Sequence, residues 1–474
     1  MITVKKANMV NIKCASSRGI YLNSGNGVKI QPIDIGHAQY LGLVSADTAF
    51  WALVKKEQLS HALTKSSFLK AYRRKEKYFV KELDTLRFGR KPFAVYFNPT
   101  DRCNLNCSYC YIPEKMRKYG RNMPAARLLG ALKILKGYFQ QELPKNIKPQ
   151  IIFHGAEPLL NKEAVLGAIH RFADDFQFGI QTNGTLLDPD TIDFLVSKNI
   201  SIGLSLDGHR ETVAGRLRKT WNGQGIFSEV VKAIRLLKGY ANYSVICTVT
   251  RENMFYLADI VEFLHSEEVS VCMLNPLRCT LPGSRPHKPQ DHHFAAHYLK
   301  ALDHSFELYK KSGRRIIIAN FANILISILA PSARRLMCDI SPCGGGRRFF
   351  AVSASGDAFA CSEFIGLNEF KGGNIFKDKI NKILDSEPFR LVTGRKVENI
   401  QPCFNCAIRH FCGSPCPAEA YQMNGSMEKP GAFCELYEEQ IRFAMRLIAD
   451  AKEEAFLWDG WDKGTAVSLE ITKL

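Results

Sequence analysis

The sequence predicts an α/β protein built on a partial (β/α)6 TIM-like barrel, with a small α+β module ahead of it and a cysteine-rich domain behind it. Three observations carry this. Strand-like and helix-like segments alternate six times between Phe93 and Leu274, the pattern of parallel β/α units. Cys103, Cys107 and Cys110 follow the first of those strands directly, at the kind of strand end where barrels put their chemistry. From Cys338 onward glycines and cysteines punctuate short segments, and no long helix returns until about Glu435. That is how a module reads when metal staples it and its own core is thin.

The elements follow in order. Residues 5–14, 19–23 and 28–32 read as short strands, with a turn at 23–27. Ser45 reads as a helix cap, with Phe50, Trp51, Leu53 and Val54 on the apolar face and charged helical sequence continuing to about Leu83. This module, residues 1–90, is a candidate for gripping a substrate peptide by adding a strand to its sheet edge; packing on the core alone is the other reading. The barrel, residues 91–315, has expected strands at 93–98, 150–153, 178–182, 200–206, 243–248 and 269–274. Its expected helices lie at 125–142, 162–176, 189–198, 227–237, 253–265 and 291–312. The apolar stretch 316–330 carries Asn320, Asn323 and Ser327. It is too short to span a bilayer and reads as a buried helix. Residues 316–440 form the cysteine-rich domain, and 441–474 a closing helix, expected at 438–454, and tail.

Composition narrows the function. The chain has 474 residues and fifteen cysteines, yet Met1 to Cys14 does not read as an export signal. The cysteines fall in C-x2-C and C-x3-C spacings, which suit metal rather than a disulfide framework. The expected compartment is the cytoplasm. A net charge of +18 points to an acidic partner. Docking of an acidic flavodoxin or ferredoxin is preferred to nucleic acid, because no basic motif interleaved with aromatics stands out.

The spacing C-x3-C-x2-C supplies three thiolates where a structural cluster or zinc site takes four. The expectation is a [4Fe–4S] cluster whose open iron binds S-adenosylmethionine (SAM); a zinc site with a fourth ligand from elsewhere is the alternative. Tyr109 precedes the third cysteine. His154-Gly155-Ala156-Glu157-Pro158 follows the second strand, Gln181-Thr182-Asn183-Gly184 ends the third, and Ser205-Leu206-Asp207-Gly208 ends the fourth. Arg216 and Arg218 precede Gly223-Gln224-Gly225.

In these motifs the stretch from Phe93 to Leu277 resembles the radical SAM superfamily. The resemblance implies that Tyr109 lies against the adenine and that Gly155, Ala156 and Glu157 stand at the family's GGEP motif. There main chain meets the methionine amino group. Ala156 replaces the second glycine, and alanine tolerates positive φ poorly. Thr182, Asn183 and Ser205 would line the pocket. Arg218, with Arg216 as the alternative, would pair with the methionine carboxylate through a bidentate fork. The implied reaction is one-electron cleavage of SAM to a 5′-deoxyadenosyl radical that removes hydrogen from an unactivated C–H. The cofactor carries the chemistry, and the protein orients and shields it.

The downstream cysteines resemble the SPASM domain. By that resemblance Cys338, Cys343, Cys361 and Cys416 hold one auxiliary [4Fe–4S] cluster, and Cys403, Cys406, Cys412 and Cys434 hold another. A zinc ribbon is the alternative. His410 reads as structural, and Cys14, Cys247, Cys272 and Cys279 as buried small residues. Auxiliary clusters imply substrate oxidation and a maturase acting on a ribosomally made peptide or protein, forming a thioether or carbon–carbon link. In the sulfatase-maturing branch an Asp after the third cluster cysteine serves as base. Here Ser362 stands there, followed by Glu363, a candidate displaced base. Rival readings are an enzyme of tetrapyrrole or other small-molecule cofactor biosynthesis, and a non-catalytic metal-binding module for nucleic acid.

Overall fold

Short apolar runs decide the N-terminal fold. The computed structural model describes residues 22–23, 29–59 and 67–462. Strands β1 (Leu22–Asn23), β2 (Lys29–Ile33), β3 (Tyr40–Ser45) and β4 (Trp51–Lys55) form one antiparallel sheet in that order. This corrects the helix expected from Ser45. Ser45 ends β3, its carbonyl takes the Ala49 N–H at 2.9 Å, and the chain turns straight into β4. The apolar run at 50–54 reads equally well as a buried strand. Pairing Leu41 with Val54 and Leu43 with Ala52 buries all four. The charged helical sequence appears as the helix Ser67–Phe88. The expected strand at 5–14, residues 24–27 of the expected turn, Cys14 and the last twelve residues lie outside the described ones.

The module is tied to the far end of the chain. Trp51 Nε1 donates to the Ile328 carbonyl at 2.8 Å, and Arg446 Nη1 donates to the Ile35 carbonyl at 2.6 Å. Its sheet therefore rests against helices Ala319–Leu329 and Cys434–Ala449.

The six barrel strands appear where the pattern put them. They are β5 (Ala94–Phe97), β6 (Gln150–Phe153), β7 (Gln177–Thr182), β8 (Ser201–Ser205), β9 (Tyr243–Val249) and β10 (Val271–Pro276), parallel and adjacent in chain order. Their helices include Ala125–Glu142, Lys162–Phe172, Pro189–Ser197, Phe227–Leu236 and Leu257–Ser266. Asp188 caps one of these, its Oδ1 taking the Thr191 N–H at 2.8 Å, with Pro189 at the first helical position. Along β9, Tyr243, Val245, Cys247 and Val249 are buried, while Ile246 and Thr248 face a central cavity. The same alternation in β10 buries Cys272 and turns Met273 and Asn275 inward. Cys247 and Cys272 are thus small core residues.

The sheet does not stop at the barrel. β11 (Ile317–Ile318) extends it parallel to β10. At the other edge β12 (Phe349–Val352), from the cysteine-rich region, runs parallel to β5, pairing Phe350 with Val95. β13 (Asp357–Phe359) and β14 (Gly373–Asn374) follow antiparallel. The expected buried helix at 316–330 is Ala319–Leu329, preceded by β11. The closing helix is Cys434–Ala449, starting and ending earlier than expected. Among the described residues no helix is long and apolar enough to cross a membrane.

Candidate active site

The three-cysteine loop leaves β5 and is held from two sides. Arg117, buried in helix Glu114–Tyr119, donates from Nε to the Ile112 carbonyl at 3.0 Å and from Nη1 to Asn106 Oδ1 at 3.0 Å. The Cys103 N–H returns to the Arg117 carbonyl at 2.9 Å. Across the loop, the Asn106 N–H donates to the Lys219 carbonyl at 2.7 Å. Trp221 Nε1 donates to the Cys103 carbonyl at 2.9 Å, and its ring lies under the cations of Arg117 and Lys118. Burial, with Glu157 next, pushes the Cys103 thiol up to about 12. Burial pushes the Cys107 thiol up to about 11, with Arg218 opposing. The Leu105 N–H points at Cys103 Sγ from 3.4 Å, a contact that favours the thiolate.

The strand-end motifs converge on this loop. Gly155 has φ of 100°, and Ala156 is not among the residues with positive φ. The left-handed position is therefore the glycine, and the alanine departs from the family pattern without strain. A Cβ on Gly155 would lie 2.2 Å from Asn98 Cγ. Glu157 is fully buried and stands behind the cavity wall. Its Oε1 takes the Thr182 hydroxyl at 2.8 Å and the Leu159 N–H at 3.1 Å. Its Oε2 takes the Asn183 N–H at 2.8 Å. One carboxylate thus joins the ends of two strands, and Thr182 and Asn183 face the cavity in front of it.

Ser205 and Arg218 also line the cavity. Asp207, which sequence reasoning left without a role, holds Arg218. Its Oδ2 accepts from Arg218 Nε at 3.0 Å and from the Tyr109 hydroxyl, and its Oδ1 takes the Thr248 N–H at 2.9 Å. Arg218 Nη2 donates to Tyr109 Oη at 2.6 Å. Tyr109, Asp207 and Arg218 form one buried unit. Arg216 instead donates to the carbonyls of Thr212 and Glu252 and does not border the cavity.

The cavity has a volume of about 410 Å³, and its opposite wall carries Cys338, Cys343, Cys361 and Cys416 with Glu363 between the two halves. Cys338 is exposed because its side faces this space. Burial lifts the Cys361 thiol well above its usual range, and Cys343, Cys416, Glu363 and Cys338 lift it further. Burial raises the Glu363 carboxyl to about 7, against Arg278 and with Glu419. Its Oε2 makes no hydrogen bond among the described residues. Outside the cavity, burial raises the Cys412 thiol, with Cys434, Cys406 and Cys403 among its neighbours. His410 is buried and its pKa falls to about 3 on that account, in keeping with a structural residue. Cys279 is buried with its N–H on Glu419 Oε1 at 2.8 Å.

Eleven of the fourteen described thiols fall into three groups of three, four and four. No disulfide joins the fourteen described cysteines. Among the described residues no three His, Cys, Asp or Glu side chains converge to hold one metal ion. Grouped thiols with Cys neighbours are the ligand chemistry that iron–sulfur clusters take. Among the described residues seven buried arginines, Arg87, Arg117, Arg218, Arg334, Arg347, Arg395 and Arg409, supply positive charge inside the protein. Arg395 lies within electrostatic reach of both four-thiol groups, through Cys416, Cys343, Cys403 and Cys412. In sequence these arginines look like surface charge, and their only signal is position near cysteines or strand ends.

Residues 97–264 match the family model described as the radical SAM superfamily. Residues 343–407 match SPASM, described as an iron-sulfur cluster-binding domain. The chain is 39% identical over 406 residues to an uncharacterized protein of Archaeoglobus fulgidus, covering 86% of this chain and 92% of that one. It is 24% identical over 368 residues to a cysteine-type anaerobic sulfatase-maturating enzyme of Clostridium novyi, covering 73% and 94%. The fold is similar to that of native anSMEcpe with bound AdoMet and Cp18Cys peptide, with a TM-score of 0.66 at 20% identity, covering 77% of this chain and 99% of that one.

Proposed function

Because the chain belongs to the radical SAM superfamily and carries a SPASM domain, we propose that it is a maturase that oxidatively modifies a ribosomally made peptide or protein. It is a SAM-dependent iron–sulfur enzyme. The observation that carries the reading is the shared cavity, which opens on the three-thiol loop and on the first four-thiol wall together. A relative matures sulfatases, and a structural neighbour holds a peptide. Both support a peptide substrate over a small metabolite. A thioether or carbon–carbon cross-link is favoured over formylglycine, because Ser362 occupies the position of the sulfatase-type Asp.

When bound, the [4Fe–4S] cluster and SAM supply one-electron chemistry that removes a hydrogen atom from the substrate. The residues divide the remaining work. Cys103, Cys107 and Cys110 hold the cluster. Tyr109, Gly155, Ala156, Thr182, Asn183, Ser205 and Arg218 bind SAM, and Glu157 positions Thr182 and Asn183. Cys338, Cys343, Cys361 and Cys416 hold the first auxiliary cluster, and Cys403, Cys406, Cys412 and Cys434 the second. Glu363 lies within electrostatic reach of Cys110 and Cys416, so it can take a proton released between the two halves. The apolar residues around it, such as Phe349, Phe364 and Leu277, exclude water from the reacting carbon.

An acidic flavodoxin or ferredoxin is the proposed electron donor, the cytoplasm the proposed compartment, and the N-terminal sheet a candidate leader-peptide clasp. Anaerobically reconstituted protein should hold about twelve irons, at four per cluster, and cleave SAM under dithionite. A co-expressed substrate peptide should lose about two hydrogens per cross-link. Stoichiometric zinc with iron near zero would overturn the proposal.

A further inference from the structure

Arg278 follows β10, at the rim of the barrel, and its guanidinium faces the cavity from the side of the first four-thiol wall. It is not fully paired. Nη1 lies 3.8 Å from Glu419 Oε2, too far for a hydrogen bond, and both atoms are buried without one among the described residues. Glu419 is completely buried and is held by the Cys279 N–H on its other oxygen, at 2.8 Å. The ionisable neighbours of the guanidinium include Tyr437, Cys416, Glu419 and Cys338, so it stands against two of the four thiols. Arg395 lies within electrostatic reach of Cys416 and Cys343 of the same group, but it is committed to the carbonyls of Met427 and Lys429.

We propose that Arg278 and Glu419 form an opposed charge pair that sets the reduction potential of the cluster held by Cys338, Cys343, Cys361 and Cys416. The inference rests on the ligand set proposed above. A cluster on four thiolates is a net anion, and reduction makes it more so. A fixed cation at its edge therefore favours the reduced state, and a fixed anion opposes it. Net charge near a cluster and its burial are the protein's levers on potential, and both act strongly where water is excluded. The loose Arg278–Glu419 contact leaves much of the guanidinium's field directed at the thiols.

The consequence is oxidative. Removing two hydrogens from a substrate sends one hydrogen atom to the SAM-derived fragment, and one proton and one electron to the protein. The proton would leave through the cavity, and the cluster that Cys338, Cys343, Cys361 and Cys416 would hold is the acceptor for the electron. Arg278 makes that acceptor easier to reduce, and Glu419 keeps it from trapping the electron.

The test is an EPR-monitored redox titration of anaerobically reconstituted full-length protein, with iron assayed in each sample. The relevant signal is the one lost in Cys361→Ala. Arg278→Gln should lower the reduced-to-oxidised ratio at the wild-type midpoint by tenfold or more, about 59 mV for a one-electron couple. Glu419→Gln should shift the midpoint the opposite way. Arg278→Lys, which keeps the charge, should stay within tenfold of wild type. Unchanged midpoints at wild-type iron content, or shifts of the same sign in both glutamine variants, would overturn the inference. If Arg278→Gln does not fold, the positive shift in Glu419→Gln decides. Wild-type protein lacking this cluster would instead overturn the ligand assignment, and the inference with it.

Discussion

Replacing Gly155 by alanine is expected to damage SAM binding, and replacing Ala156 by glycine is expected to leave it alone. The φ of 100° falls on Gly155, and an added Cβ would meet the buried Asn98 side chain at 2.2 Å. Holding an alanine in that backbone costs about 1–3 kcal/mol, and overpacking a filled site about 1–3 kcal/mol more. Asn98 lies directly beneath the strand end and cannot retreat into solvent. The backbone at 155–156 must therefore move, and that backbone faces the cavity. A displacement costing only about 1.4 kcal/mol of binding weakens affinity tenfold. Equilibrium dialysis of labelled SAM against anaerobic holoprotein should give at least that loss for Gly155→Ala, with a lower apparent melting temperature. Ala156→Gly should lose up to about 1 kcal/mol of stability through the unfolded chain, with SAM affinity nearly unchanged. Wild-type affinity in Gly155→Ala, or a tenfold gain in Ala156→Gly, would refute the assignment of the left-handed position.

Asp207→Asn should be destabilising by about 3–5 kcal/mol, the usual result of leaving one buried partner uncompensated. It should weaken SAM binding by freeing Arg218 and Tyr109, measured by the same dialysis and by thermal melting. Trp221→Phe keeps an aromatic face but loses the bond to the Cys103 carbonyl, worth about 1 kcal/mol. Iron loss to a chelator should quicken while the fold, followed by circular dichroism, is retained. Asp188→Ala removes a helix cap far from the cavity and should cost about 1 kcal/mol, with SAM cleavage per bound cluster unchanged.

Much of the barrel was legible because its units are local. Each strand of 94–97 through 271–276 is short, apolar and bounded by turn residues, and each following helix repeats its apolar positions. The spacing of Cys103, Cys107 and Cys110 is equally local, whereas the division of the downstream thiols into two fours came from the resemblance to the SPASM domain, because Cys416 groups with Cys338, Cys343 and Cys361 across a long stretch of chain. The hairpin at 40–55 was not legible. Its apolar run at 50–54 has no period that separates a strand from a helix, and only pairing with β3 decides. The supports of the site were hidden for another reason. Asp207, Arg278 and Glu419 act through partners far away in sequence, Asp207 through Tyr109 and Thr248, and Glu419 through Cys279 and Arg278. A lone charged residue in a basic chain carries no mark of burial. The +18 net charge was read as a surface for partners, yet part of it is internal.

The pairing of β12 with β5 has a meaning for how the chain can be taken apart. The cysteine-rich region is not a bead on a string. One of its strands completes the edge of the barrel's first strand, through pairs such as Phe350 with Val95, and that first strand leads directly into the three-cysteine loop. Excising the region would not free a self-sufficient barrel. It would strip the hydrogen bonds from a sheet edge that leads straight into the loop carrying Cys103, Cys107 and Cys110. Exchange of such modules between relatives must therefore carry the seam along with the cargo.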